Sequence, residues 1–158
     1  MANPSAAHYP LADTWLLNNR VNLRLLDALT DEQLAATILP RGKTVTSHFV
    51  HLHMARFYWL ERRARALAKT LQKIPGGTTD RETLREALIA SGKAMGELFA
   101  EAERSGSIKG TKIGPLGFLA YALAHEAHHR GQIILHLKIA KLPLDRATGY
   151  SLWYWNKI

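Results

Sequence analysis

The chain has 158 residues, of which 47% are apolar and 22% charged, and its formal net charge is +8. This length suits a single domain, 1–158, and no apolar run approaches the roughly 20 residues that cross a bilayer. The absence of cysteine excludes disulfides, thiolate metal ligands and a cysteine nucleophile. It fits a cytoplasmic protein, as does an N-terminus without a basic region followed by an apolar block.

Apolar residues at helical spacing and helix breakers predict four long helices. They cover 9–29, 44–72, 78–106 and 115–142. A short capped turn, TDEQL, and a loop, LPRGK, separate the first two, and IPGG ends the second. In the third, Thr79 and Glu82 have the spacing of a capping box. Pro115 lies in the first turn of the fourth helix, and Pro143 follows its end.

Four helices with short connections predict an all-α fold, an antiparallel four-helix bundle with a short C-terminal helix in the tail 145–157. No segment shows the alternating pattern of a strand. Gly92, Gly96 and Gly131 lie inside predicted helices, where glycine is unfavourable. We therefore expect close helix approach at these positions.

The segment ERRARALAKTLQK at 61–73 concentrates part of the positive charge. Its cations are Arg62, Arg63, Arg65, Lys69 and Lys73. Such a cluster can bind nucleic acid or another anion, but it is also typical of a solvated helix face. No known nucleic-acid motif accompanies it, so nucleic-acid binding is the disfavoured alternative.

The stretch AHEAHHRGQ at 124–132 holds three of the eight histidines. His125 and His129 are four residues apart, so on a helix their side chains share one face and can bind the same metal ion. His128 is three residues from His125 and is a rival second ligand. Histidine, carboxylate and water are the ligands left to a chain without cysteine.

The second predicted helix offers three further histidines, in SHFVHLHM. His51 and His53 lie about 200° apart around a helix and face nearly opposite sides, whereas His48 and His51 share a side. A bundle can bring one of these histidines against the pair on the last helix. The pattern predicts a site of three imidazoles for zinc, with nickel and iron as other candidates, and leaves the third ligand open.

The letters from His125 to His129 also read H-E-x-x-H, the signature of zinc proteases. Their third ligand lies further along the chain, yet no glutamate follows Glu126. The extended pattern would place Gly at 132 and His at 135, where this chain has Gln132 and Leu135. We therefore interpret Glu126 as an ion-pair partner for another helix or as a group that orients a metal ligand, and we reject proteolysis.

The segment AHEAHHRGQIILHLK, preceded by HFVHLHMARFYWL and followed by GYSLWYW, resembles the DinB-like (damage-inducible) family of four-helix-bundle metalloproteins. The run H-x-x-x-H-R-G-Q, from His125 to Gln132, is its most specific part. In that family one histidine of the second helix and two of the last core helix bind a divalent metal. The resemblance implies His51, His125 and His129 as ligands, with His48 or His53 as replacements for His51.

The resemblance also implies an activity. Characterised relatives include transferases and isomerases that use small thiols such as bacillithiol, mycothiol or glutathione, although many members have no assigned activity. Members often form dimers. We therefore expect a metal-dependent thiol S-transferase, with a thiol and an electrophile as substrates, that forms a homodimer. The alternative is a non-catalytic metal-binding stress or sensor protein.

A metal held by three neutral imidazoles keeps its double positive charge and can stabilise a thiolate or lower the pKa of bound water to about 7. Arg130 is a candidate for binding a carboxylate on the thiol, or else for a surface ion pair. Gln132 is a candidate for a hydrogen bond to a ligand or to a histidine that it holds in place.

Overall fold

The computed structural model describes residues 9–158, and the fold within that range is entirely helical. The helices are α1 Pro10–Ala28, α2 Asp31–Ala35, α3 Val45–Arg63, α4 Arg65–Ala68, α5 Arg81–Ser105, α6 Gly114–Ile139 and α7 Arg146–Ser151, with a 3₁₀ helix at Trp155–Lys157. An isolated β-bridge between Thr37 and Thr44 is the one piece of strand pairing in this range. The all-α prediction is confirmed, and α7 is the short helix expected in the tail.

The prediction of one continuous helix over 44–72 is wrong, because the structure has two helices there, α3 and α4. The break lies at Ala64, whose φ of −145° and ψ of 64° are not helical. No glycine or proline marks this position, so sequence propensity gave no signal. Beyond the break, Ala68 and Leu71 are buried in the same apolar cluster as Leu60. Tertiary packing therefore ends α3 where local preference would continue it.

The start of α5 also differs from the prediction. Asp80, rather than Thr79, caps the helix, because its carboxylate accepts a hydrogen bond of 2.8 Å from the backbone N–H of Thr83. The predicted Thr79–Glu82 capping box is therefore wrong by one residue. The capped turn at α2 is confirmed, since Thr30 and Gln33 exchange backbone and side-chain hydrogen bonds.

The four long helices form the body of the protein. Helix α1 packs against α5 and α6, and α3 packs against the same two helices. Where α1 meets α5, the indole N–H of Trp15 donates to the carbonyl of Gly92 at 2.9 Å. A Cβ at Gly92 would lie 2.2 Å from Nδ2 of Asn19, so the close approach expected there is observed. At Gly131 a Cβ would meet nothing within 4 Å, and the expectation is wrong for that residue.

Two apolar clusters fill the bundle, one at each end. The first is built around Trp15, Phe99 and Phe118, and the second around Leu25 and Phe49. Between them the chain buries a set of polar side chains, described below. None of the helices within residues 9–158 combines the length and the apolar character that crossing a bilayer requires.

Candidate metal centre

Three histidines from α3 and α6 converge at the surface between these helices. Nε2 of His51 lies 3.2 Å from Nε2 of His125, and the ring of His51 is 4.5 Å from the ring of His129 between centroids. One nitrogen from each of the three rings falls within 4.8 Å of the other two. The trio His51, His125 and His129 is therefore a group that could hold a metal ion.

The spacing of these nitrogens suits a small divalent cation. Zinc–nitrogen bonds are about 2.0–2.1 Å, so two ligand nitrogens on a tetrahedral ion lie roughly 3.3–3.4 Å apart. The distance between His51 and His125 is already close to this value. The other two pairs, which both involve His129, lie within 4.8 Å, and a modest rotation of the His129 ring would shorten these distances. His51 is exposed and the other two rings are half-buried, so the site opens to solvent on one side.

His53 does not belong to the cluster. Its side chain is buried, and its two ring nitrogens lie 2.9 Å from the carbonyl oxygen of Ala87 and 2.8 Å from that of Gln72. His53 therefore ties α3 to α5 and to the segment after α4. His51 and His53 face different sides of α3, as predicted. His53 is therefore too far from His125 and His129 to replace His51 as a ligand.

His48 stands directly beside the trio. Its Nδ1 lies 3.2 Å from Nδ1 of His129, within hydrogen-bonding distance. If Nδ1 of His129 shares a proton with His48, Nε2 of His129 stays free to bind a cation. His128 is exposed, with its ring 5.3 Å from that of His129, and lies outside the group of three.

The environment keeps these imidazoles neutral. Burial is the main cause that lowers the pKa of His129 to about 4, and the neighbouring histidines lower it further. Burial likewise lowers the pKa of His48 to about 4, with a smaller contribution from His136. The pKa values of His51 and His125 are also lowered, chiefly by burial. Neutral imidazole is the form that binds metal, so at pH 7 the cluster needs to release no proton.

Glu126 lies next to His125 in the chain but faces the interior. The Arg56 guanidinium binds its carboxylate with two hydrogen bonds of 2.6 and 3.0 Å, and both side chains are fully buried. The amides of Asn18 and Asn22 each donate to the same carboxylate at 2.6 Å. Of the two roles considered for Glu126, the structure shows the ion pair with a neighbouring helix. Within residues 9–158 its carboxylate accepts no hydrogen bond from a histidine.

Arg130 extends this buried set instead of facing the histidines. Its Nη1 donates to Oδ1 of Asn18 at 2.8 Å and to Oδ1 of Asn22 at 2.7 Å. The guanidinium therefore orients the two amides that bind Glu126. Within residues 9–158 Arg130 forms no ion pair within the distance limit of a salt bridge, and the hydrogen-bond partners of its Nη1 are neutral amides of α1. Recognition of a carboxylate by Arg130 stays a prediction.

Gln132 lies exposed on the wall of a cavity of about 310 Å³ beside the histidine trio. Lys43 and the apolar side chains of Ile38, Leu39 and Leu135 line the same cavity, together with His48 and His136. Within the described residues the Gln132 amide makes no hydrogen bond to a histidine. Of the two roles considered for Gln132, this placement favours contact with a ligand.

The opposite flank of the trio is aromatic. The ring of Trp59 lies 5.1 Å from that of His125 and 5.7 Å from that of Tyr121. Tyr121 is 51% exposed, so this wall is open to a ligand. The loop side of the site could not be predicted from the sequence, because no periodic pattern relates Lys43 or Leu39 to a histidine on α6.

No curated protein matches the chain, but a protein family does. The model of the DinB family matches residues 1–140, a range that includes both helices carrying the histidine trio. The match covers most of the 158 residues, and we conclude that the chain belongs to the DinB family.

Proposed function

We propose that the protein binds one divalent metal ion through His51, His125 and His129, and that it uses this ion to transfer a small-molecule thiol to an electrophile. Zinc and nickel are the favoured ions, with iron as a further candidate. The observation that carries the proposal is the approach of three ring nitrogens, from two helices, to within 4.8 Å of one another.

The donor set defines the chemistry of such a site. A divalent cation on three neutral imidazoles would lower the pKa of a thiol that reaches its open position. The chain has no cysteine, so the sulfur must come from a cosubstrate. His51 is exposed, which gives that cosubstrate access from solvent.

The surroundings of the trio support transfer over hydrolysis. A metal-dependent protease needs a carboxylate base near the ion, and both oxygens of Glu126 are occupied by Arg56 and two asparagine amides. The cavity near Lys43 and the aromatic wall of Trp59 and Tyr121 flank the trio on two sides. We assign one flank to the thiol and the other to the electrophile.

Metal analysis and turnover test the proposal together. Protein purified without a histidine tag should contain close to one equivalent of metal, and His125→Ala should lose it. His128→Ala is the matched control, because His128 is an exposed neighbour on the same helix. The loaded protein should then conjugate a chromogenic electrophile with at least one thiol of a panel. Metal without turnover would favour the non-catalytic sensor, and absence of metal would overturn both.

We also propose a homodimer formed through the outer face of α6. That face is apolar, with Leu116, Ala120, Ala124, Ala127 and Gly131 all exposed at helical spacing. An exposed apolar stripe of this kind is typical of a contact between chains. Sedimentation should show a dimer that Ala127→Glu converts to a monomer, without loss of bound metal. A monomeric wild-type chain would contradict this proposal.

Nucleic-acid binding remains the disfavoured alternative. Two cations of the basic segment lie over aromatic rings, Arg63 4.5 Å from the centre of Phe118 and Lys73 4.9 Å from that of Phe57. These two cations therefore already contact ring faces within the chain, which favours an ordinary protein surface. Salt-sensitive binding to an oligonucleotide would instead favour nucleic-acid binding.

We propose a cytoplasmic location, which the absence of cysteine fits.

A further inference from the structure

We infer that the cavity between the 37–44 loop and α6 binds the carboxylate end of the thiol cosubstrate, with Lys43 as its anchor. The inference rests on the proposed function, because it names the chemical class of the thiol: a small molecule with an apolar body and a carboxylate. Lys43, on the 37–44 loop, would then bind the carboxylate of the thiol, which is the role considered above for Arg130.

The cavity is placed to serve the histidine trio. His48, whose Nδ1 is 3.2 Å from Nδ1 of His129, belongs to both the cavity wall and the histidine cluster. A ligand seated in about 310 Å³ can therefore extend past His48 to the exposed side of His51. This volume lies at the small end of the range for ligand pockets and suits a short aliphatic chain.

The lining predicts the chemistry of the occupant. Ile38, Leu39 and Leu135 are large apolar side chains that remain 44%, 65% and 56% exposed at this cavity. Among residues 9–158, no acidic side chain lines the cavity. Within the described residues Lys43 has no ion-pair partner, so its ammonium group is available to an anion. An apolar body that carries one negative group fits both features.

Lys43 shares its cavity with a histidine that contacts the trio. Lys43 and His48 line the same cavity, and Nδ1 of His48 lies 3.2 Å from Nδ1 of His129. A carboxylate held at Lys43 and a sulfur at the trio would therefore lie on either side of His48. This arrangement suits a thiol and a carboxylate at opposite ends of one short molecule.

Hydrogen bonds within the chain brace the loop that carries Lys43. Thr37 pairs with Thr44 in the β-bridge, and the N–H of Gly42 donates to the carbonyl of Leu39 at 2.8 Å. The hydroxyl of Thr37 donates to the same carbonyl at 2.6 Å. A Cβ at Gly42 would lie 2.8 Å from Oγ1 of Thr37, so the turn requires glycine there. A loop ordered before binding loses little entropy when the ligand arrives.

Two mercaptans of equal length test the inference. In cobalt-substituted protein, the thiolate-to-cobalt absorption band should report tighter binding of 6-mercaptohexanoate than of 6-mercaptohexanol, by about three- to tenfold for one exposed charge pair. Lys43→Gln should abolish the difference, and Lys93→Gln, which removes an exposed lysine from α5, should preserve it. Equal affinity for the two thiols, or a preference that survives Lys43→Gln, would overturn the inference.

A second measurement separates this inference from the proposed function. In metal-free protein, hexanoate should shift the methyl NMR signals of Leu39 and Leu135, and Lys43→Gln should weaken that binding about three- to tenfold. Thiol binding to the cobalt protein without these shifts would refute the cavity and leave the metal site intact. Hexanoate binding by a protein that takes up no metal would refute the metal site and leave the cavity intact.

Discussion

His51 on α3 and His125 on α6 bring their Nε2 atoms to 3.2 Å from each other, across 74 residues of sequence. Two neutral imidazoles gain little from facing each other in this way, since one N–H···N hydrogen bond is their best interaction. A cation placed between them would be bound by both lone pairs. With His129 beside them, the pair forms the core of the proposed centre.

The two histidines of α3 that border α6 should differ in their effect on metal binding. His51→Phe removes a ligand nitrogen and should abolish stoichiometric binding. His48→Phe removes only the partner of Nδ1 of His129, and such outer partners contribute about 10- to 100-fold in affinity. Competition titration with a chromogenic chelator measures both. The reverse ranking would make His48 the ligand.

The stability of the metal-free protein should fall between pH 6.5 and about 4. The pKa values of His48 and His129 are lowered to about 4, mainly by burial, so in this interval the unfolded chain binds protons that the folded chain does not. The free energy of unfolding then decreases as pH falls, and these groups contribute no slope above pH 6.5. Thermal unfolding across this range measures the effect.

Carboxylates also titrate near the lower end of that interval, so the comparison needs a control. The double variant His48→Gln, His129→Gln should show a shallower fall in melting temperature between pH 6.5 and 5 than the parent chain. Parallel profiles for the two proteins would mean that the unfolded and folded chains protonate these histidines alike.

Breaking the buried ion pair should strongly destabilise the bundle. Glu126→Gln leaves the fully buried guanidinium of Arg56 without its counter-charge, and the free energy of unfolding should fall by about 3–5 kcal/mol. Arg85→Gln is the control, because the Arg85–Asp27 pair is partly exposed and should contribute at most about 1 kcal/mol. Urea denaturation distinguishes the two, and equal losses would contradict a buried pair.

Two helical glycines should respond oppositely to alanine. Gly92→Ala places a Cβ within 3 Å of three atoms of the Asn19 side chain and should cost about 1–3 kcal/mol of stability. In the monomeric Ala127→Glu background, where the proposed dimer contact is absent, Gly131→Ala meets nothing within 4 Å and should stabilise α6 by up to about 1 kcal/mol. Urea denaturation at one fixed protein concentration measures both, and a stabilised Gly92→Ala would contradict the close packing of α1 on α5.

Much of the fold could be predicted from periodicity. The helical segments, the capped turn at Thr30 and the stop before Pro143 follow local rules that depend on neighbouring residues alone. The break at Ala64 could not be predicted this way, since it satisfies the burial of Ala68 and Leu71 and not any local preference. The start of α5 was missed by one residue because Thr79 and Asp80 are both suitable caps.

The polar layer in the core was the largest omission. Asn18, Asn19, Asn22 and Arg56 are polar residues on helices, a pattern that usually indicates a solvated face. They are buried because each finds hydrogen-bond partners on another helix, from 32 to 112 residues away in the chain. No window of sequence contains both members of such a pair.

For the metal centre, the sequence alone determined which nitrogens could act together within a helix. The rotation per residue places His125 and His129 on one face and His51 opposite His53, because a helix fixes these angles wherever it packs. Only the tertiary structure decided that His51 meets His125, that Glu126 turns inward to Arg56, and that Lys43 borders the cluster. These relationships depend on how separate helices and a loop pack together, and that packing is set by the whole core.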